Sequence, residues 1–154
     1  MIARRKIELE TDSQYLDLSN TNLSAANLDR ANLNKADLSD AILDGSILTN
    51  PSLGNTNLSG AVLIGANLRG ATLSKANLTK ADLSGADLAG INLEGANLNK
   101  TDLRKTKNLD ITQIDRAQNW TLAIYDPEIE KLLKAPPTSP DNTLITPKTS
   151  PLNT

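Results

Sequence analysis

Cysteine, histidine and phenylalanine are all missing from this 154-residue sequence. Without cysteine and histidine the chain can form no disulfide, no thiolate or imidazole metal site and no imidazole acid–base catalyst. Aromatic residues make up only 2% of the chain, so a core built around large rings is excluded and aliphatic side chains must form it. We therefore predict a non-catalytic protein with no cofactor and no small-molecule substrate.

A strong charge of either sign and a membrane-length apolar run are also missing. Lys and Arg number 16 against 18 Asp and Glu, a net charge of −2, which argues against direct binding of nucleic-acid phosphates. The basic start, Met1–Lys6, is followed by Ile7-Glu8-Leu9-Glu10 and not by the apolar segment of a signal peptide. The expectation is a cytoplasmic protein without membrane contact.

Leucine recurs at every fifth position from Leu18 to Leu103, eighteen times without a miss. The residue two positions before the leucine is small in 15 of the 18 repeats, the residue directly before it is Asn or Asp in 13, and seven of the eight glycines lie two positions after it. An α-helix cannot use this pattern, because five residues advance about 500°. A long strand cannot use it either, because an odd period sends alternate leucines to opposite faces. The pattern predicts short extended sides, each followed by a bend, with leucine and the small residue pointing inward.

Two segments, Ala31-Asn32-Leu33-Asn34-Lys35 and Ala76-Asn77-Leu78-Thr79-Lys80, match the form A-(D/N)-L-X-X, and by this form the chain resembles the pentapeptide-repeat proteins. The resemblance implies an all-β solenoid: a right-handed quadrilateral parallel β-helix in which four pentapeptides make one coil and residues 20 apart stack. Eighteen sides then give about four and a half coils, and at about 4.8 Å per coil the rod is about 22 Å long.

The ends of the repeat set the predicted boundaries. Residues 1–15 are an N-terminal segment that could cap the first coil, 16–107 form the β-helix, 108–134 form a helical C-terminal cap, and 135–154 form a disordered tail with five of the seven prolines. Asn108 occupies the position where the next leucine is due, so we expect the solenoid to stop there.

Helical periodicity follows that break. Ile111, Ile114, Ala117 and Trp120 recur at three-residue spacings, and Asp126-Pro127-Glu128 has the form of a helix N-terminus. We predict two short α-helices, at about 111–119 and 127–134, with Trp120 covering the apolar end of the rod at Leu98, Leu103 and Leu109. The segment around Trp120 and Asp126 also resembles the C-terminal part of many cyanobacterial pentapeptide-repeat proteins.

Several polar features are interpreted as structural. Asp82 and Asp102 should stack about 5 Å apart, which in a cleft could suggest a glycosidase pair. A flat face offers no cleft, so we interpret them, with Lys80 and Lys100 one corner away, as a self-neutralising charge ladder. The Asn57, Asn77 and Asn97 ladder is interpreted as hydrogen bonding along the stack. Pro51 replaces an inward small residue and predicts a local distortion.

Four aliphatic residues occupy outward positions where polar residues are the rule: Ile42, Ile47, Val62 and Ile64. We name them the aliphatic patch and predict that they contact a protein partner. Two other interpretations stay open: β-branched residues favour strands in any case, and a terminal segment could cover them. A monomer or a weak homodimer is expected.

The function predicted from the sequence is an interaction or scaffold module. The alternative comes from relatives in the family that protect DNA gyrase by imitating duplex DNA. That role needs a continuous negative field, whereas residues 16–105 contain nine acidic and eight basic residues. Those relatives also commonly place Phe at the leucine position, and this chain has none.

Overall fold

A computed structural model describes residues 16–134 of the protein. Parallel β-pairs join the residue before each leucine to the residue 20 positions later, from Asp17 with Asp37 to Asp87 with Lys107. Twenty residues per turn correspond to four pentapeptides, so the coil has four sides, as predicted. The N-terminal and C-terminal predictions for residues 1–15 and 135–154 lie outside the described residues.

Each side is too short to form an extended strand, and the pairing consists of single-residue bridges separated by turns. Each side that has another side of the repeat before and after it in the stack donates three backbone hydrogen bonds to those neighbouring coils. On one side, the Asn57 N–H donates to the Ala36 carbonyl at 3.0 Å, the Leu58 N–H to Asn77 at 2.8 Å and the Gly60 N–H to Thr79 at 2.9 Å. These bonds satisfy the backbone groups that an isolated short segment would leave unpaired.

Every corner bends at the residue two positions after the leucine, which adopts a left-handed conformation. At one corner Asp40 has φ 56°, and the Ala41 N–H donates to the Leu38 carbonyl at 3.1 Å, as in a type II turn. Glycine tolerates this conformation best, but Lys75 and Lys80 adopt it at φ 58° and 62°. The glycine spacing therefore predicted the corners correctly.

The leucines form four internal columns, one for each side. We number the sides by the leucines of the first coil: first side Leu18, second side Leu23, third side Leu28 and fourth side Leu33, each continued every 20 residues. From Leu28 to Leu103 every leucine of the repeat is buried, and the small residue two positions before it fills the remaining space. Leu18 and Leu23, in the first coil, are only partly buried.

Pro51 does not distort its side as predicted. The Ser52 N–H donates to the Ala31 carbonyl of the preceding coil at 2.9 Å, and the Leu53 N–H donates to the Thr72 carbonyl of the following coil at 2.8 Å. The pairing therefore continues in both directions along the stack. Proline lacks the N–H that closes the turn elsewhere, but that N–H takes no part in the pairing between coils. The effect of Pro51 is confined to the turn.

The solenoid does not stop at Lys107, which corrects the predicted boundary of the pairing. Helix α1 (Ile111–Ile114) lies in the chain where the fourth side of the next coil is due. The chain then returns to the stack: Gln118 pairs with Asn97 on the first side, and Ile124 pairs with Asp102 on the second. The spacings of 21 and 22 residues break the five-residue pattern, so the sequence periodicity could not show them.

Helix α1 is one turn long, so the predicted helix over 111–119 was too long. The Gln118 N–H donates to the Ala96 carbonyl at 2.7 Å, and this bond to the coil takes the place of a helical bond. A 3₁₀ helix spans Trp120–Leu122, and helix α2 spans Pro127–Lys134, the second helix as predicted. No helix within residues 16–134 has the length and apolar character needed to cross a bilayer.

Trp120 belongs to the buried core together with Leu98 and Leu103, and Leu109 packs against that core. The Tyr125 hydroxyl donates to the Trp120 carbonyl at 2.8 Å. Burial raises the pKa of Tyr125, and the charge of Asp115 adds to the effect. The only tryptophan therefore lies at the C-terminal end of the core, as the sequence predicted.

The core also contains hydroxyl groups in two different situations. Thr56 Oγ1 donates to the Leu33 carbonyl at 2.6 Å, whereas the fully buried Ser46 Oγ has no partner among the described residues. Replacing Thr56 with Val removes a hydrogen bond and should lower the free energy of unfolding by about 1 kcal/mol. Ser46→Ala should leave it unchanged or raise it slightly, as measured by urea denaturation. Equal losses for the two variants would contradict this assignment.

Candidate functional site

The aliphatic patch lies on two neighbouring sides of the rod. Ile42 and Val62 form a parallel bridge on the second side, and Ile64 lies at the next outward position after Val62. Ile47 lies on the third side. Ile42, Ile47 and Ile64 are 38%, 43% and 44% exposed, and Val62 is half-buried. All four side chains reach the surface of the rod.

The corner between these two sides carries no side chains over three coils, because Gly45, Gly65 and Gly85 stack there. A β-carbon added at Gly45 or Gly65 would have no atom within 4 Å. The corner itself therefore holds no side chain between the second and third sides, and Asp44 is the one charged residue between Ile42 and Ile47. Turn geometry accounts for each of these glycines singly, and only their 20-residue spacing indicates a corner without side chains.

The patch overlaps a belt of the rod without charged residues. Residues 45–68 contain no Asp, Glu, Lys or Arg. Residues 16–44 contain five aspartates against two basic residues, a net charge of −3. Residues 69–107 contain seven basic against four acidic residues, a net charge of +3. The near-neutral total thus hides a charge that changes sign along the axis, with the neutral belt between the two parts.

The asparagine ladder on the first side is bonded as predicted up to Asn77, whereas Asn97 Oδ1 accepts from Asn119 Nδ2 at 2.9 Å instead. Asn77 Nδ2 donates to Asn57 Oδ1 at 3.2 Å, and Asn57 Nδ2 donates to Asp37 Oδ1 at 3.0 Å. Each of the two asparagine oxygens also accepts a backbone N–H two residues later, from Ser59 and Thr79. The side chains therefore hold both the stack and the turn.

Asp82 and Asp102 stack as predicted, but the partner of Asp102 is different. Arg104 contacts both carboxylate oxygens of Asp102, with Nη2 2.5 Å from Oδ2, whereas the sequence predicted that Lys80 and Lys100 neutralise the stacked carboxylates. The hydrogen bonds from Arg104 lower the pKa of Asp102. Arginine at this position reaches the carboxylate along its own side, whereas the lysines lie one corner away. Such an ion pair indicates a structural role.

A cavity of about 600 Å³ lies where α2 begins, lined by Thr106, Asn108, Leu109, Asp126, Pro127, Glu128 and Ile129. Asp126 Oδ2 accepts the Lys105 N–H at 2.7 Å, so this carboxylate ties the segment to the coil. Within residues 16–134 no group of three acidic side chains is placed to hold a metal ion.

The repeat region matches a known family over the same residues that form the paired sides. The family model described as "Pentapeptide repeats (8 copies)" matches residues 16–50, 48–79 and 76–107. The chain belongs to the pentapeptide-repeat family. This membership confirms the resemblance read from the repeat, and the right-handed quadrilateral β-helix is the fold it implies.

The chain is similar to solved structures of pentapeptide-repeat proteins, and two of these proteins are cyanobacterial. Protein alr5209 from Nostoc Pcc 7120 has 30% identity and a TM-score of 0.56, covering 71% of this chain and 84% of that chain. Rfr23 from Cyanothece 51142 has 25% identity and a TM-score of 0.39, covering 71% and 91%. QnrB1, a plasmid-mediated fluoroquinolone resistance protein, has 24% identity and a TM-score of 0.32, covering 72% and 70%. No curated protein sequence matches the chain significantly.

Proposed function

We propose that this pentapeptide-repeat protein is a non-catalytic interaction module that binds a protein partner through the aliphatic patch. In this proposal residues 16–107, together with the paired segments at Gln118 and Ile124, form the rod, and the rest of residues 108–134 closes its C-terminal end. The rod supplies a rigid surface, because neighbouring coils are joined by backbone bonds along every side. A cytoplasmic location stays a prediction.

The observation that carries the proposal is the exposure of Ile42, Ile47 and Ile64 around a corner without side chains. Outward positions elsewhere in the repeat are mostly polar, so four aliphatic side chains within or beside a charge-free belt are unusual. Protein interfaces are depleted of charge at their centres, and this part of the rod has that property.

The charge distribution supports this function over the gyrase alternative. Duplex DNA carries one negative charge about every 1.7 Å along its axis. The rod has a net charge of −3 over residues 16–44, none over 45–68 and +3 over 69–107. A partner surface built to bind DNA would therefore meet repulsion along the C-terminal part of this rod.

The double variant Ile42→Thr/Val62→Thr tests the proposal. Threonine keeps the β-branched shape but adds a hydroxyl, so partner capture from a host lysate should fall at least about tenfold, a loss of about 1.4 kcal/mol. Thr72→Val is the matched control, since it makes the reverse exchange at the same register position on the opposite, fourth side. Capture and thermal unfolding are measured together, by pull-down with quantitative mass spectrometry and by circular dichroism.

Equal capture by the native protein and the double variant, with unchanged unfolding, would show that the patch binds no partner. A second variant, Gly65→Lys, tests the bare corner. Lys75 and Lys80 already adopt the same left-handed conformation, and an added β-carbon meets nothing within 4 Å, so the fold should tolerate it. The long side chain should obstruct any partner that crosses from the second side to the third.

A further inference from the structure

We propose that the second-side part of the patch, Ile42, Val62 and Ile64, binds a second copy of this chain, with the two rods antiparallel. The inference rests on the proposed function, because it names the partner of that same surface. The two second sides face each other. The two-fold axis runs between the rods, perpendicular to their length, at the level of Val62. Ile47 lies on the third side and stays available beside this contact.

The reversal of charge along the rod determines the direction of packing. Residues 16–44 carry a net charge of −3 and residues 69–107 carry +3. Antiparallel packing places the negative part of each copy beside the positive part of the other, twice in the dimer. Parallel packing places like charges together along the whole length, and like-charge contacts are strongly unfavourable. The uncharged belt then lies at the centre, where charges would lose most hydration.

The local register agrees with this axis. A two-fold axis at the level of Val62 brings Val62 and Ile64 opposite their own copies, the self-complementary arrangement of an isologous contact. Ile42 lies one coil away, about 4.8 Å along the rod, where the same axis brings it opposite Asp82 of the second copy, so Val62 and Ile64 form the apolar centre of the contact. The corner before this side carries Asp40 one coil before Gly60 and Lys80 one coil after it. The same axis therefore places Asp40 on the level of Lys80 from the second copy.

The size of the contact predicts a weak dimer. One side is about 10 Å wide and five coils are about 24 Å long, so each copy contributes roughly 240 Å² of flat surface. Stable complexes bury about 800 Å² per partner. We expect dissociation constants of tens to hundreds of micromolar, with weaker association as salt screens the charges at the two ends.

Sedimentation equilibrium over about 10 µM to about 1 mM protein, in about 0.02 M and about 0.5 M salt, tests the association. The native chain should form a reversible dimer that weakens at high salt. Val62→Asp places two carboxylates at the axis and should weaken the dimer at least about tenfold. Thr72→Asp adds the same charge at the same register on the opposite side and should leave it unchanged. A native protein that stays monomeric at about 1 mM in low salt overturns the inference, as does equal association of the Val62→Asp variant.

Cross-linking tests the direction, because the chain contains no native cysteine. Facing sheets lie about 10 Å apart, a gap that a short bifunctional maleimide spans. Ile64→Cys should cross-link to itself. Ser24→Cys and Arg104→Cys, two coils before and after Ile64, should cross-link with each other in a mixture but neither with itself. Self-cross-linking of both end variants would demonstrate parallel packing and overturn the inference.

The outcomes separate this inference from the function on which it rests. A monomeric native chain whose partner capture still depends on Ile42 and Val62 refutes the second copy and keeps the proposed function. A monomer whose capture ignores both residues refutes both. A dimer that Val62→Asp dissociates, with the antiparallel cross-links, supports both.

Discussion

A chain truncated after Lys107 is expected to lose stability and to associate into soluble oligomers. The residues removed include the two sides that pair with the last coil through Gln118 and Ile124. Six backbone hydrogen bonds between 95–103 and 116–124 are lost. The core also loses the buried side chains of Ile114, Ala117 and Trp120, and burying a large apolar side chain is worth about 1.5–3 kcal/mol. Exposed strand edges invite pairing with other molecules, so association should accompany the loss.

Two shorter truncations make this prediction specific. A chain ending at Lys134 keeps every described element, and a chain ending at Asp126 loses α2 but keeps both paired sides. Light scattering and thermal unfolding should rank the three chains in order of length, with the main change between Asp126 and Lys107. If the chain ending at Asp126 associates as strongly as the chain ending at Lys107, then α2 and not the paired sides protects the end of the rod.

The repeat region could be predicted from the sequence because each local rule agrees with the fold. Leucine every fifth residue sets the inward column, and glycine two positions later marks corners such as Gly60, which has φ 70°. Asparagine before the leucine marks the bonded ladder, as at Asn57. The pairing between coils uses backbone groups only, so it requires no side chains beyond those that the five-residue repeat already fixes. The identity of the four sides therefore followed once the family resemblance supplied the number of sides.

The C-terminal segment could not be predicted in the same way, because two periodicities overlap there. Ile114, Ala117 and Trp120 have helical spacing, and all three are buried. Only Ile114 is in an α-helix, whereas Ala117 lies between the helices and Trp120 begins the 3₁₀ helix, both buried in the core as the chain rejoins the coil. The same three buried side chains are compatible with one longer helix and with a chain that leaves the helix and rejoins the coil. The deciding bonds are those of the backbone to Ala96 and Thr101, which leave no trace in the sequence.

The candidate site was partly predictable for a similar reason. Ile42, Val62 and Ile64 occupy outward positions of the five-residue repeat, so their place on the surface could be predicted from it. The bare corner at Gly65 required the 20-residue stacking. The opposite charges of residues 16–44 and 69–107 cancel in the total composition and become meaningful only when the chain is laid along an axis.

Leu63→Ala is expected to lower the free energy of unfolding by about 3–5 kcal/mol, a large share of the roughly 5–15 kcal/mol typical of a domain. Leu63 is 1% exposed, and Leu43 and Leu83 stack on either side of it, so no flexible segment can fill the cavity. Leu18→Ala is the matched control: it has the same register position in the first coil, where the side chain is only partly buried, and should cost about 1 kcal/mol. Urea denaturation followed by circular dichroism measures both. In a stack where each coil contacts only its neighbours, a central defect weakens two interfaces and a terminal defect weakens one. Equal losses for the two variants would mean that the end of the rod is as tightly packed as its centre.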